Sequence, residues 1–152
     1  MDSAHTPTLD AATVTYRGTV YPWQCDHMGH MNVMWYVGKF DEAVWNLFAR
    51  VGLTPGYLRG AGRGMAALEQ HIHYRRELLA GDTVAVNSVI TGVGDKVVHV
   101  RQTMFNAELG HVAASMDLVG VHLDTAARRA AAFPPAIAER LQVELQSAAL
   151  QL

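Results

Sequence analysis

Residues 32–52, Asn32-Val33-Met34-Trp35-Tyr36-Val37-Gly38-Lys39-Phe40-Asp41-Glu42-Ala43-Val44-Trp45-Asn46-Leu47-Phe48-Ala49-Arg50-Val51-Gly52, decide the fold. Val33, Tyr36, Val37, Phe40, Val44, Leu47, Phe48 and Val51 recur at spacings of three and four, which is helical period. Asn32 stands where an N-cap belongs, and Gly52 where a glycine ends a helix. The stretch therefore predicts a helix of about nineteen residues. Its broad apolar face has to be buried, which calls for a sheet wrapped around it.

That sheet is written on both sides. Upstream, Val14, Tyr16, Gly18 and Val20 alternate with Thr13, Thr15, Arg17 and Thr19, the period of a strand, and Pro22 ends it. Downstream, after a bend rich in glycine (Gly60, Gly62, Gly64), period two returns in strands predicted at 65–79, 82–93, 96–108 and 111–123. Ala80-Gly81-Asp82, Gly94-Asp95 and Leu109-Gly110 separate them with tight-turn chemistry, so the strands form an antiparallel meander. Pro134-Pro135 then introduce a short amphipathic helix over Ala136–Leu150. The expected fold is α+β: a five-stranded antiparallel sheet around one long central helix, plus a short C-terminal helix. It forms a single domain over 13–152, with residues 1–12 as a flexible arm. Such a sheet covers one face of the helix and leaves strand edges unpaired, which predicts a symmetric homodimer or a tetramer built from it.

Composition narrows the function. Twelve Lys plus Arg against fourteen Asp plus Glu leave a formal charge of −2, which argues against a general electrostatic grip on nucleic acid. Cys25 is the only cysteine, so an intrachain disulfide and a thiolate zinc cluster are both excluded. No apolar run reaches the 18 or so residues that span a bilayer. The first twelve residues (MDSAHTPTLDAA) have neither a basic start nor an apolar core, so they do not read as a signal peptide. The expectation is a soluble cytoplasmic protein with no membrane or nucleic-acid partner.

The densest polar stretch, Trp23-Gln24-Cys25-Asp26-His27-Met28-Gly29-His30-Met31-Asn32, lies between the first strand and the long helix. A carboxylate there is favoured in its charged form by the helix dipole, and the first helical amides lack acceptors. A carboxylate beside free amides suits a nucleophile or base next to an oxyanion site. Asp26 equally reads as a residue that only orders its loop by bonding nearby amides.

The stretch Val20–Asp41 (VYPWQCDHMGHMNVMWYVGKFD) resembles the opening motif of the hotdog-fold acyl-CoA thioesterases, in the 4-hydroxybenzoyl-CoA thioesterase-like group. The likeness continues through His73-Tyr74-Arg75 with Ala80-Gly81-Asp82, and through Val119–Leu123 before Thr125–Arg129. The resemblance implies a hotdog domain that hydrolyses acyl-CoA thioesters without a cofactor, in an active site built by two chains. Asp26 matches the family's catalytic carboxylate, acting as nucleophile or as base for water. Val33 and Met34 match the amides that polarise the thioester carbonyl. His27-Met28 stand where Pro-Ala is frequent, and GHMNVMWY is closer to members tied to carnitine or betaine metabolism.

Other residues compete with these or add to them. His30 is a candidate to orient Asp26 or touch the acyl group, and Asn32, Trp35, Glu69 and His71 are candidate substrate-lining residues. His27, His30, His71 and His73 with Glu69 mimic a metal site, but the pattern of ligands does not require one and no metal is expected. Glu42 is an alternative catalytic carboxylate, and Cys25 reads as an inert packing thiol. A cationic acyl group would favour an aromatic cage, for which Trp23, Trp35, Tyr36 and Trp45 are available. Lys96, Arg101, Arg128 and Arg129 are the candidate partners of coenzyme A phosphates. The rival readings are a hotdog enoyl-CoA hydratase, which pairs an Asp with a His, and a non-catalytic acyl-thioester binding protein.

Overall fold

The computed structural model describes residues 6–150. In chain order the elements are β1 (Val14–Thr19), a 3-10 turn (Pro22–Gln24), α1 (Val33–Arg50), α2 (Pro55–Ala61), β2 (Arg63–Tyr74), β3 (Thr83–Val93), β4 (Val97–Asn106), β5 (Val112–Asp124), β6 (Arg129–Ala130) and α3 (Pro135–Ala149). The sheet runs β1-β3-β4-β5-β2, every pair antiparallel, with the two-residue β6 attached to β5. The chain therefore leaves one edge of the sheet at β1, crosses through α1, and returns at the opposite edge as β2.

The central helix forms for the reasons its sequence announces. The Asn32 side chain accepts the Met34 amide at 3.0 Å as an N-cap, and Gly52 takes a φ of +93° just beyond the last turn. Phe40, Ala43, Val44, Leu47 and Phe48 are buried against Val86, Ile90, Val98, Val100, Met104, Met116 and Leu118. Phe40 is fully enclosed, so truncating it to alanine costs about 3–5 kcal/mol. α3 closes the C-terminal end of α1 with buried Ile137 and Leu141. A Cβ on Gly52 would stand 2.9 Å from Arg140 Nη1, the movable end of a long side chain, so it is the φ of +93° that calls for glycine here.

Four details depart from the sequence reading. β2 is not the neighbour of β3: it crosses to the far edge and pairs with β5, so the meander runs only through β3, β4 and β5, and residues 75–82 form a longer connection rather than a hairpin turn. The bend before β2 contains a helix, α2, despite its glycines. Thr54 caps it by accepting the Tyr57 amide at 3.1 Å, Pro55 starts it, Leu58 is buried, and Gly62 ends it in the left-handed region. Residues 75–79 are not strand, because the chain leaves β5 after Tyr74 and turns towards the Asp26 loop. β6 has no counterpart in that reading, since a two-residue strand carries no period. Of the arm expected over residues 1–12, residues 1–5 lie outside the described residues. Within the rest, the Thr8 carbonyl accepts from Asn87 and the Ala12 carbonyl from Arg50, both at distances near 3.3–3.4 Å.

Candidate active site

The loop before α1 is folded back on itself by backbone bonds. Cys25 and Met31 pair as an antiparallel bridge, and the Asp26 amide donates to the His30 carbonyl at 3.2 Å. The Gly29 amide donates to the Asp26 carbonyl at 3.0 Å, closing a turn that requires φ +84° at Gly29. Met31 is anchored from below by the Leu78 carbonyl at 2.8 Å, and is itself buried. Asp26 is thus presented at the tip side of a rigid loop directly ahead of the helix.

Its carboxylate is held by two donors. The Met28 amide donates to Oδ1 at 2.8 Å, and Asn32 Nδ2 donates to Oδ2 at 2.8 Å. The Asn32 amide is the larger influence, followed by the Met28 amide; together with His27 and His30 they outweigh burial and keep the Asp26 carboxyl below the ordinary carboxylate range. Each oxygen retains a lone pair, so the group stays an anion able to attack or to accept a proton.

The helix amides differ from the expectation in one respect. The Met34 amide is already given to Asn32 Oδ1, and the Trp35 amide to the Asn32 carbonyl at 3.0 Å. Among the described residues this leaves Val33 as the first-turn amide without an acceptor. The resemblance has Val33 and Met34 acting together; the cap takes Met34 out. Asn32 therefore acts twice, capping the helix with one end of its amide and orienting Asp26 with the other.

Next to the loop, a cavity of about 220 Å³ is lined by His30, Val33, Tyr36, Tyr74, Arg75 and Glu77 among others. Tyr36 stands edge-on to Tyr74, with ring centroids 5.2 Å apart, and donates its hydroxyl to the Arg76 carbonyl at 3.3 Å. Burial pushes the Tyr36 phenol up to about 12, which makes it a neutral wall rather than a base. His30 does not bond Asp26: its Nε2 lies 3.5 Å from Glu77 Oε1 and its Nδ1 3.4 Å from the Met31 carbonyl. Sequence reasoning gives Tyr74, Arg75 and Glu77 no site role, because they stand at or just beyond a strand end that the alternation does not reveal.

The remaining candidates are dispersed. Trp35 is partly buried against the core beside the site. Glu69 and His71 pair with Val119 and Asp117, on the sheet face opposite to Leu118 and Met116 and hence away from α1. Glu42 is exposed on α1, where, after burial, it helps raise the pKa of Tyr16 on β1. Among the described residues no group of three or more His, Cys, Asp or Glu could hold a metal ion. Arg101 is tied to Asp117 at 2.8 Å in the middle of the outer sheet face. Lys96, Arg128 and Arg129 gather at the far end of the sheet: the Lys96 carbonyl accepts the His122 amide, and Arg129 pairs with Asp124. β2 runs the length between the two ends, and its twelve residues span about 40 Å.

A family model described as the Thioesterase-like superfamily matches residues 20–141. An L-carnitine dehydrogenase/betainyl-CoA thioesterase of Agrobacterium fabrum is 31% identical over 116 residues, covering 76% of this chain and 24% of that protein. A protein of the same name from a Rhizobium species is 25% identical over 117 residues, covering 77% and 23%. The chain thus spans about a quarter of the length of these curated relatives. A Staphylococcus aureus protein solved in complex with CoA superposes with a TM-score of 0.82 at 23% identity, over 88% of this chain and 84% of that one. A thioesterase of Thermus thermophilus solved with coenzyme A and Zn superposes with a TM-score of 0.75 at 25% identity, over 88% and 95%. No helix among the described residues is long and apolar enough to cross a membrane. With the fold and a family model over residues 20–141 in agreement, the chain belongs to the thioesterase-like superfamily.

Proposed function

We propose that the chain hydrolyses acyl-CoA thioesters, with Asp26 as nucleophile or as general base for water. The observation that carries this reading is the Asp26 carboxylate, kept ionised by the Met28 amide and by Asn32, the residue that also caps α1 directly before Val33. Attack at the thioester carbonyl puts negative charge on its oxygen, where the Val33 amide and the helix dipole stabilise it. The C–S bond then breaks, coenzyme A leaves as thiolate and takes up a proton, and water supplies the second oxygen of the acid. The acyl group is proposed to be of the betainyl type. The two relatives named as betainyl-CoA thioesterases support this, since they match 116 and 117 residues of a chain whose residues 20–141 fit the thioesterase-like family.

The acting unit is proposed to be a two-fold dimer joined through β2. β2 is the sheet's long open edge, and a two-fold axis pairs it antiparallel with its copy. That pairing carries Lys96, Arg128 and Arg129 of one chain to the Asp26 end of the other, which supports them as partners of the coenzyme A phosphates. The hydratase reading is disfavoured because His30 faces Glu77 rather than Asp26.

The test is a thiol-release assay over short, long, aromatic and betaine-type acyl-CoAs. Asp26→Ala is expected to lower kcat by about 10²–10⁴-fold with the fold intact. Loss of crotonyl-CoA absorbance without thiol release would establish the hydratase instead. Tight acyl-CoA binding with no turnover over the whole panel would make the protein a binding module.

A further inference from the structure

His122 is fully enclosed near the end of β5, and both nitrogens of its ring are used. Nδ1 lies 2.8 Å from the Ala131 carbonyl, which can only accept, so Nδ1 carries the hydrogen. In the neutral ring Nε2 is then an acceptor, and the Tyr57 hydroxyl of α2 donates to it at 3.0 Å. Tyr57 and Phe133 flank the imidazole, with ring centroids 6.1 and 5.1 Å away. The backbone of the same residue is equally occupied. Its amide donates to the Lys96 carbonyl at 2.8 Å, and its carbonyl accepts the Ala131 amide at 2.9 Å. A leucine would fill this volume but would take these partners from the Ala131 carbonyl and the Tyr57 hydroxyl.

Lys96 and Ala131 therefore meet beside β5, and His122 bonds both. Two residues farther along β5, Asp124 pairs with Arg129, so Lys96 and the Arg128–Arg129 pair are separated by roughly 7 Å of strand. The hairpin between β5 and β6 is fixed at several points. Asp124 Oδ1 accepts the Ala126 and Ala127 amides at 3.0 and 2.9 Å, Asp124 Oδ2 meets Arg63 at 3.1 Å, and the Thr125 amide and hydroxyl both donate to the Gly62 carbonyl. Arg128 sits in that hairpin at φ +53°, a conformation costly for an arginine and kept only where its surroundings impose it. Beyond β6, the Phe133 amide ties the chain to the Asp95 carbonyl at 2.9 Å, next to Lys96. We propose that His122 is a positioning residue for coenzyme A, holding the Lys96 turn and the Arg128–Arg129 hairpin at the separation that its phosphates bridge. The ring touches no substrate atom; it acts through the backbone that carries the three cations.

This inference rests on the assignment of coenzyme A phosphates to Lys96, Arg128 and Arg129. Its test compares an acyl-CoA with the same acyl thioester of pantetheine, which ends before the phosphates. His122→Leu is expected to raise KM for the acyl-CoA about tenfold, while its kcat and both constants for the pantetheine thioester change by less than about threefold. His122→Asn, whose amide still offers a donor to the Ala131 carbonyl, is expected to stay within about threefold of wild type throughout. Tyr57→Phe removes only the bond to Nε2 and keeps the ring packing, so it serves if His122→Leu does not fold; it is expected to raise the same KM about threefold. An unchanged KM for the acyl-CoA in every folded variant, or equal losses on the two substrates, overturns the proposal while leaving thioester hydrolysis standing. Absence of thiol release from both substrates by wild type overturns the thioesterase reading instead, and calorimetric binding of coenzyme A then decides the positioning role. That role stands if the variants weaken coenzyme A by the same factors without weakening pantetheine, and falls if wild type and variants bind coenzyme A equally.

Discussion

The two edges of the sheet are built differently. β1 is six residues long, and side chains of α1 occupy its outward carbonyls: Lys39 reaches Thr19, Asn46 reaches Thr15 at 2.7 Å, and Arg50 reaches Val14 at 2.6 Å. β2 is twice as long, carries the exposed Leu68 at a bulge, and has an open flank of α1 above it with Asp41 and Trp45. An edge whose backbone groups are already used cannot template another strand; an open one can. The contrast supports the proposal that two chains join through β2 rather than through β1.

The largest way to break this comparison is charge on β2. Leu68→Lys together with Gln70→Lys sets like charges against each other across the two-fold axis. Light scattering should then give one chain mass of 16.6 kDa where wild type gives about two or four. Arg17→Glu on β1 should leave the mass unchanged. A double-lysine variant that stays dimeric would assign the interface elsewhere.

A smaller effect sharpens the account of Asp26. Asn32→Ser keeps a side-chain cap for α1 but withdraws the amide that bonds Oδ2. The acid limb of kcat/KM against pH should move upward, towards the ordinary carboxylate range, because the lowered pKa loses its main cause. The linkage has the same sign. A carboxylate with a depressed pKa stabilises the fold above its unfolded value, and that contribution fades as pH falls through the folded value. The wild-type acid limb should therefore lie below that of Asn32→Ser. An unmoved limb would mean that another group controls activity. The smallest effect belongs to β1. Asn46→Ala frees the Thr15 carbonyl, and chemical denaturation should show a loss of about 1 kcal/mol with the oligomer unchanged.

Much of this was legible along the chain. The period of α1 and its Asn32 cap are local signals, and both are present. The five main strands follow from alternation and turn residues. What escaped was either very short or set by distant contacts. α2 contradicts the low helix propensity of its glycines, because its caps and the burial of Leu58 outweigh it. The double role of Asn32 depends on a loop closed by the Cys25–Met31 bridge, which no spacing rule announces. The separation of Lys96, Arg128 and Arg129 from Asp26 follows from strand order, and strand order is invisible in a period.

The central claim is that hydrolysis at Asp26 needs two chains joined along β2. The direct measurement is thiol release per chain from the preferred acyl-CoA, followed against chain concentration for wild type and for the double-lysine β2 variant. Activity should track the fraction of dimer, and the monomeric variant should lose about 10²-fold or more, as expected when half of a positioned site is missing. A monomer that hydrolyses the substrate at the wild-type rate would contradict the account.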